Sequence, residues 1–379
     1  MKNIWQKVIK NKTFFCLAPM ADVTDIAFRQ IIAKYSKHGK KGAAKHGVSG
    51  RGGPDLFWTE FVSADGLASK EGRKKLLPIL KFSKKEKPII AQIFGANPEN
   101  IKTTCQIISK LGFDGIDINM GCPDKGVIKQ GAGSALIRTP SLAREIIRSA
   151  KEGAPKLPIS VKTRLGFNTF EYKTWLSEIL KENISALTIH LRTKKEMSKV
   201  DAHWELAKDV VKTVRKIDKN VVLIANGDIK SLEEGKEKAL SAGFDGVMIG
   251  RGIFGKPWLF ANFVNESVSS NKIEHPVKFS QTKNNNINNL KVLFKEKDNS
   301  SKIVRDEFNS YIPTTKEKLK ILVEHTKLFI KLLSKQKRFD VMKKHFKAYV
   351  TGFDGAKELR IKLMKTENIK DMEKIINSF

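Results

Sequence analysis

Eight short runs rich in Ile, Val and Leu, with little alternation of polar and apolar positions, recur along the first two thirds of the chain, at 14–20, 56–62, 88–95, 115–121, 159–164, 186–192, 221–227 and 246–250. A strand with one wet face alternates. An unbroken apolar strand is buried on both faces, as in a parallel sheet covered by helices. Amphipathic stretches at 24–35, 98–111, 141–152, 170–182, 202–217 and 231–242 fill most of the gaps. Thr24 and Ser231 stand where N-caps are expected, and Glu234 is in capping-box spacing from Ser231. Leu111-Gly112 and Ala242-Gly243 each end a helix with a C-cap glycine, followed by Phe-Asp-Gly leading into a strand. Eight βα units in about 250 residues is the size of a (β/α)8 barrel, an α/β fold. The alternative, an open doubly wound sheet, lacks a GxGxxG opening here. Residues 63–87 are irregular and read poorly as a helix.

The 379 residues divide into a barrel at 1–264, a low-complexity linker or insertion at 265–312 and a basic all-helical domain at 313–379. The linker holds Asn284-Asn285-Asn286-Ile287-Asn288-Asn289; a second unusual stretch, 37–54, is basic and glycine-rich and reads as a surface loop. Helical periodicity returns at Leu319, Leu322, Val323, Leu328, Phe329 and Leu332, and residues 315–379 carry 17 Lys and Arg against 8 Asp and Glu. The whole chain has a formal charge of +31, which suits a polyanionic partner, nucleic acid before an anionic membrane; a solubility surface is the plainer alternative. No run of about 18 uncharged apolar residues is present, so no membrane span is expected. Lysines break the apolar residues of the first fifteen positions, unlike a signal peptide, and three cysteines, Cys16, Cys105 and Cys122, suit a reducing cytoplasm. No cysteine or histidine set has metal-ligand spacing, so no metal is expected.

In a parallel barrel the chemistry sits at the carboxyl ends of the strands. Those ends carry Pro19 and Met20, Gln92, Asn119 with Cys122, Lys162 with Arg164, His190 with Arg192, Asn226-Gly227-Asp228, and Gly250-Arg251-Gly252. Singly, each has a bland reading as core residue or turn. Together on one rim they point to a site, and the last two loops, beside a helix opening at Ser231, suit a phosphate group. Cys122 precedes Pro123 in a strand-end turn, whereas Cys105 reads as helix core and Cys16 as strand interior.

Seven segments in order carry a resemblance: Ala18-Pro19-Met20-Ala21, Gln92-Ile93-Phe94-Gly95, Asp117-Ile118-Asn119-Met120-Gly121-Cys122-Pro123, Val161-Lys162-Thr163-Arg164-Leu165-Gly166, His190-Leu191-Arg192-Thr193, Ile224-Ala225-Asn226-Gly227-Asp228-Ile229 and Val247-Met248-Ile249-Gly250-Arg251-Gly252. With these, residues 14–260 resemble the tRNA-dihydrouridine synthase family. The resemblance implies an FMN-dependent oxidoreductase that converts particular tRNA uridines to 5,6-dihydrouridine, with NADPH as reductant and tRNA as partner, acting as a monomer on tRNA. It implies Cys122 as the proton donor to C5. Pro19, Met20, Gln92, Lys162, His190, Asn226, Gly227, Asp228, Gly250 and Arg251 would hold FMN, and Asn119, Arg164 and Arg192 would face the target nucleotide. Two alternatives stand beside it: an FMN barrel acting on a small pyrimidine, and a non-catalytic tRNA-binding protein.

Overall fold

The computed structural model describes residues 4–9, 13–36, 53–262 and 313–379. The stretch 265–312, and 37–54 but for its last two residues, lie outside them. One parallel sheet is built from β1 (Phe14–Leu17), β2 (Phe57–Trp58), β3 (Val62–Ser63), β4 (Ile89–Phe94), β5 (Gly115–Asn119), β6 (Ile159–Gly166), β7 (Ala186–Thr193), β8 (Val222–Asn226) and β9 (Gly246–Ile249). Its order is β1-β9-β8-β7-β6-β5-β4-β2, with β3 also on β4. The strand expected at 56–62 is thus two pieces on one neighbour, pairing Phe57 with Ile89 and Val62 with Ile93. Between β1 and β2 the ring is closed by a Cys16–Leu56 bridge and by the Leu17 N–H donating to Leu56 C=O at 3.1 Å. The result is a nearly closed (β/α)8 barrel.

Strand periodicity sorts the side chains. Ile89, Ala91, Ile93, Val161, Leu187, Ile189, Leu223, Ala225 and Val247 join the apolar faces of the surrounding helices. The alternate set, Phe14, Cys16, Trp58, Ile90, Val222, Ile224 and Met248, forms the barrel's inner core, which the helix Ile4–Val8 completes with Ile4, Trp5 and Val8. Further along the same inward rows, toward the carboxyl ends, the residues become polar: Gln92, Asn119, Lys162, His190 and Asn226.

The carboxyl-terminal helices Thr315–Leu333, Lys343–Tyr349, Ala356–Met364 and Ile369–Asn377 form a second core. Leu322, Phe329, Phe346, Leu359 and Met372 share it with Ile26, Ala27 and Ile31 of the barrel helix Ile26–Tyr35. His325 and His345 lie in this contact, with Phe28 stacked on His325 at 5.0 Å and Phe254 on His345 at 6.1 Å.

Several local expectations need correction. The first barrel helix is capped by Asp25, whose carboxylate accepts the Phe28 N–H at 3.0 Å; Thr24 instead closes a turn with Met20. Ser231 does accept the Glu234 N–H, but Glu234 reaches back to Lys230 N–H, so the capping box is displaced by one residue. Residues 63–87 contain two short helices, Ala64–Ala68 and Lys70–Leu76, followed by two 3-10 turns. A buried pair, Arg29 Nε to Glu86 at 2.6 Å, ties that segment to the barrel helix. The helix expected from 202 begins at Ala207, after a 3-10 turn at Trp204–Leu206.

Candidate active site

A cleft of about 960 Å³ opens where the inward rows turn polar. Such a volume suits a cofactor-sized ligand. All the rim residues singled out in the sequence line it except Gln92, which is fully buried behind the wall.

Gln92 belongs to a chain of hydrogen bonds that ends at the cysteine. Asp117 accepts from Ser160 Oγ and Gln92 Nε2, both at 2.6 Å; Gln92 Oε1 accepts from Asn119 Nδ2 at 3.1 Å. The Asn119 carbonyl oxygen then accepts the N–H groups of Gly121 and Cys122, at 3.1 and 2.8 Å. From the other side Arg164 Nε donates to Gly121 C=O at 2.7 Å, and Ser134 donates to Cys122 C=O through both its N–H and its hydroxyl, at 3.1 and 2.8 Å. The turn is therefore fixed by directional bonds on every side, a pre-organised position for a reacting group. Cys122 is half-buried, and that burial raises its thiol above its ordinary value; the Asp124 N–H, Arg164 and Lys162 oppose the shift and the charge of Asp124 adds to it. The thiol keeps its proton at neutral pH.

Facing it is a cationic wall. Lys162 Nζ donates to Asn226 Oδ1 at 3.1 Å, and burial together with the Arg164 charge pulls its pKa down to about 8. Arg164 spends its second arm on Thr193 C=O and Met197 C=O, at 3.0 and 3.1 Å. Burial, with the charges of Arg164, Lys162 and Arg192, holds His190 well below its usual range, so its ring is neutral. Its Nε2 then accepts from Arg192 Nη1 at 3.0 Å. Arg192 also donates to Val200 C=O at 2.7 Å and pairs with Asp228.

Asp228 organises the last two loops. Its second oxygen takes Arg251 Nη2 at 2.5 Å, its backbone is left-handed at φ 48°, and one oxygen also accepts the Ala202 N–H at 2.9 Å. Gly227 has φ 144°, and a Cβ there would stand 2.7 Å from that of Ala202, so glycine is required. Arg251 stays 60% exposed and leaves donors facing the cleft mouth.

The matched family model is that of dihydrouridine synthase (Dus), over residues 16–313. The chain belongs to the dihydrouridine synthase family. It is 37% identical to a probable tRNA-dihydrouridine synthase of Staphylococcus aureus (strain COL), over 100% of this chain and 96% of that one. A Staphylococcus epidermidis relative (strain ATCC 35984) of the same description is also 37% identical, with the same coverage. The probable tRNA-dihydrouridine synthase 2 of Bacillus subtilis (strain 168) is 36% identical, over 100% and 97%. The family match spans every rim residue named above, and the full-length relatives extend it through the helical bundle.

Sequence reasoning missed Phe61, Trp204 and the cations Lys199, Lys230 and Lys238, all lining the cleft. It also missed Ser134, the anchor of Cys122. Residues 197–202 follow β7 and form a wall of the cleft. The only signal for them was their position after a strand end. Among the described residues no group of three or more His, Cys, Asp or Glu is placed to hold a metal ion, and no helix is long and apolar enough to cross a membrane.

Proposed function

We propose that this protein reduces uridines in tRNA to 5,6-dihydrouridine, with FMN as bound cofactor and NADPH as reductant. The observation that carries the reading is Cys122, a protonated thiol locked by six hydrogen bonds around its turn, on the wall of a cationic cleft. The residues fit FMN. Pro19, Met20, Phe61 and Met248 offer apolar surface to a flat ring; Arg251 and Lys230, at the ends of the Gly250 and Gly227 loops, are cations beside a helix N-terminus, which suits a phosphate, and Lys238, paired with Glu234, also lines the cleft. Lys162, hydrogen-bonded to Asn226, supplies a positive charge deep in the cleft.

When bound and reduced by NADPH, FMN would supply the hydride accepted by C6 of uracil, which is conjugated with the C4 carbonyl. Cys122 then gives its proton to C5, a general-acid role for which a raised pKa is the right direction. Asn119 and Arg164 hold the turn that carries the thiol. Arg192 holds Asp228, His190 and residue 200 in one arrangement. In this reading residues 1–264 form the catalytic barrel and 313–379 the tRNA-binding domain. A stacked uridine must be extruded to reach the cleft, and the +31 charge supplies phosphate contacts that offset that cost.

Two measurements test the proposal. Cys122→Ala retains FMN and tRNA binding and loses most dihydrouridine formation; a variant as active as the parent removes Cys122 from the acid role. In anaerobic stopped-flow, flavin reduced by NADPH is reoxidised by unmodified tRNA and not by free uridine. Reoxidation by the free pyrimidine alone makes the protein a small-molecule reductase.

A further inference from the structure

Three carboxylates converge behind one wall of the cleft. Glu60, between β2 and β3, is 5% exposed, and Asp25 is 1% exposed; Asp22 lies on the loop after β1. Glu60 Oε1 accepts the Asp22 N–H at 2.6 Å. Asp25 Oδ2 is buried without a hydrogen-bond partner, and burial, then the Glu60 charge, pushes this carboxyl up to about 6. Arg29 is near but committed elsewhere, to Glu86, Thr24 C=O and Lys81 C=O. Lys344 acts on Asp22 only through space. The cation hydrogen-bonded to the group comes from the far end of the chain. Lys337, just beyond the helix Thr315–Leu333, places Nζ 2.7 Å from Glu60 Oε1 and 2.9 Å from Asp22 Oδ1, and its side chain is 10% exposed.

The two loops so joined are the two that bear Met20 and Phe61 on the cleft wall. Glu60 immediately precedes Phe61. Met20 is two residues before Asp22, in a tight turn where its C=O accepts from Val23 and Thr24 N–H, at 3.1 and 3.0 Å, and its own N–H donates to Thr24 Oγ1 at 2.9 Å. A charge removed from such a cluster leaves its buried partners uncompensated, and the loops carrying them shift to find water.

We propose that Lys337 is a positioning residue for the cleft: by bridging Asp22 and Glu60, the helical bundle sets the Met20–Phe61 wall against which the cofactor ring lies. The bundle then acts on the barrel's own ligand as well as on RNA. This rests on the reading of the cleft as an FMN site. The test titrates the full-length chain with FMN, following flavin fluorescence and the visible band, and compares Lys337→Met with Lys34→Met. Lys34 makes another ion pair across the same contact, 2.5 Å to Glu324, but joins no cleft loop. Lys337→Met weakens FMN binding about tenfold and shifts the flavin band, whereas Lys34→Met stays within about twofold of the parent, even where both lower the melting midpoint. If Lys337→Met does not accumulate folded, Lys337→Gln, which keeps one donor but not the charge, is held to the same limits. Equal losses in the two variants, or no loss for Lys337→Met in a parent that binds FMN, overturn the inference alone. A parent that takes up no FMN overturns the cofactor reading, and the inference with it.

Discussion

A thiol that acts as an acid has to keep its proton until a carbanion needs it, and a lysine that steadies an anion has to keep its own. In the proposed reading burial serves Cys122 in the first task and works against Lys162 in the second. The pKa of Lys162 is pulled from its ordinary 10.5 to about 8, so the free protein loses that charge as pH rises through about 8. An anionic ligand draws the proton back. Between about pH 7 and pH 9.5, FMN affinity should therefore fall by about tenfold, with proton uptake on binding at the upper end. Lys162→Met should bind more weakly and show a flat profile over that range; calorimetric titration in two buffers reads both effects. Rim residues were legible because barrel chemistry gathers at strand ends. Gln92 was legible as a rim residue and not as what it is, a buried link between Asp117 and Asn119. Spacing reports which row a side chain occupies, not whether a neighbour covers it.

Residues 194–203 show how an element without regular structure is held. Arg164 and Arg192 issue from β6 and β7 and take the carbonyls of Thr193, Met197 and Val200, while Asp228 takes the Ala202 N–H. Only the last of these bonds, at Ala202, falls in the stretch 202–217 that amphipathic periodicity assigned to a helix, and the helix begins at Ala207 instead. Arg192→Met would release Val200 and leave Asp228 with the exposed Arg251 and the Ala202 N–H, a loss of about 2 kcal/mol, below the usual cost of breaking a fully buried pair because Asp228 is 22% exposed. Melting in denaturant measures that loss, and limited proteolysis should cut within 194–200 in the variant and not in the parent. The same limit explains the segment 63–87. Its short helices are tied down by the Arg29–Glu86 pair, a contact 57 residues apart in sequence that no local pattern announces.

On the scale of the whole molecule, the barrel and the bundle meet over a pair of histidines. All four ring nitrogens of His325 and His345 are buried without hydrogen-bond partners. Burial, then the charges of Lys344 and Lys337, lowers His345 to about 3, and burial also holds His325 well below its usual range. The folded-state values lie below those of the unfolded chain, so the unfolded state takes up the protons. Stability from these groups is full above about pH 6.5 and is lost as pH falls from there toward about 3. At about pH 5, His345 alone should cost ~2 kcal/mol, read as a drop in melting midpoint from its neutral-pH value. His345→Leu should remove its own share of the drop and leave the share due to His325. The division into barrel and helical bundle was legible from periodicity. That the bundle takes one face of the barrel helix Ile26–Tyr35 into its own core was not, because both faces of that helix are apolar and composition names no partner.

The floor of the barrel has a kinetic consequence. The helix Ile4–Val8 seals the amino-terminal end, with Trp5 and Trp58 at 6.1 Å between ring centroids. Among the described residues, Cys122 is reached from the cleft at the carboxyl ends of the strands. In the proposed reading reductant and tRNA both use that cleft, so each is expected to leave before the other arrives. Initial rates at several fixed concentrations of one partner, varied against the other, should give parallel double-reciprocal lines. Each partner in excess should inhibit by occupying the form of the protein meant for the other.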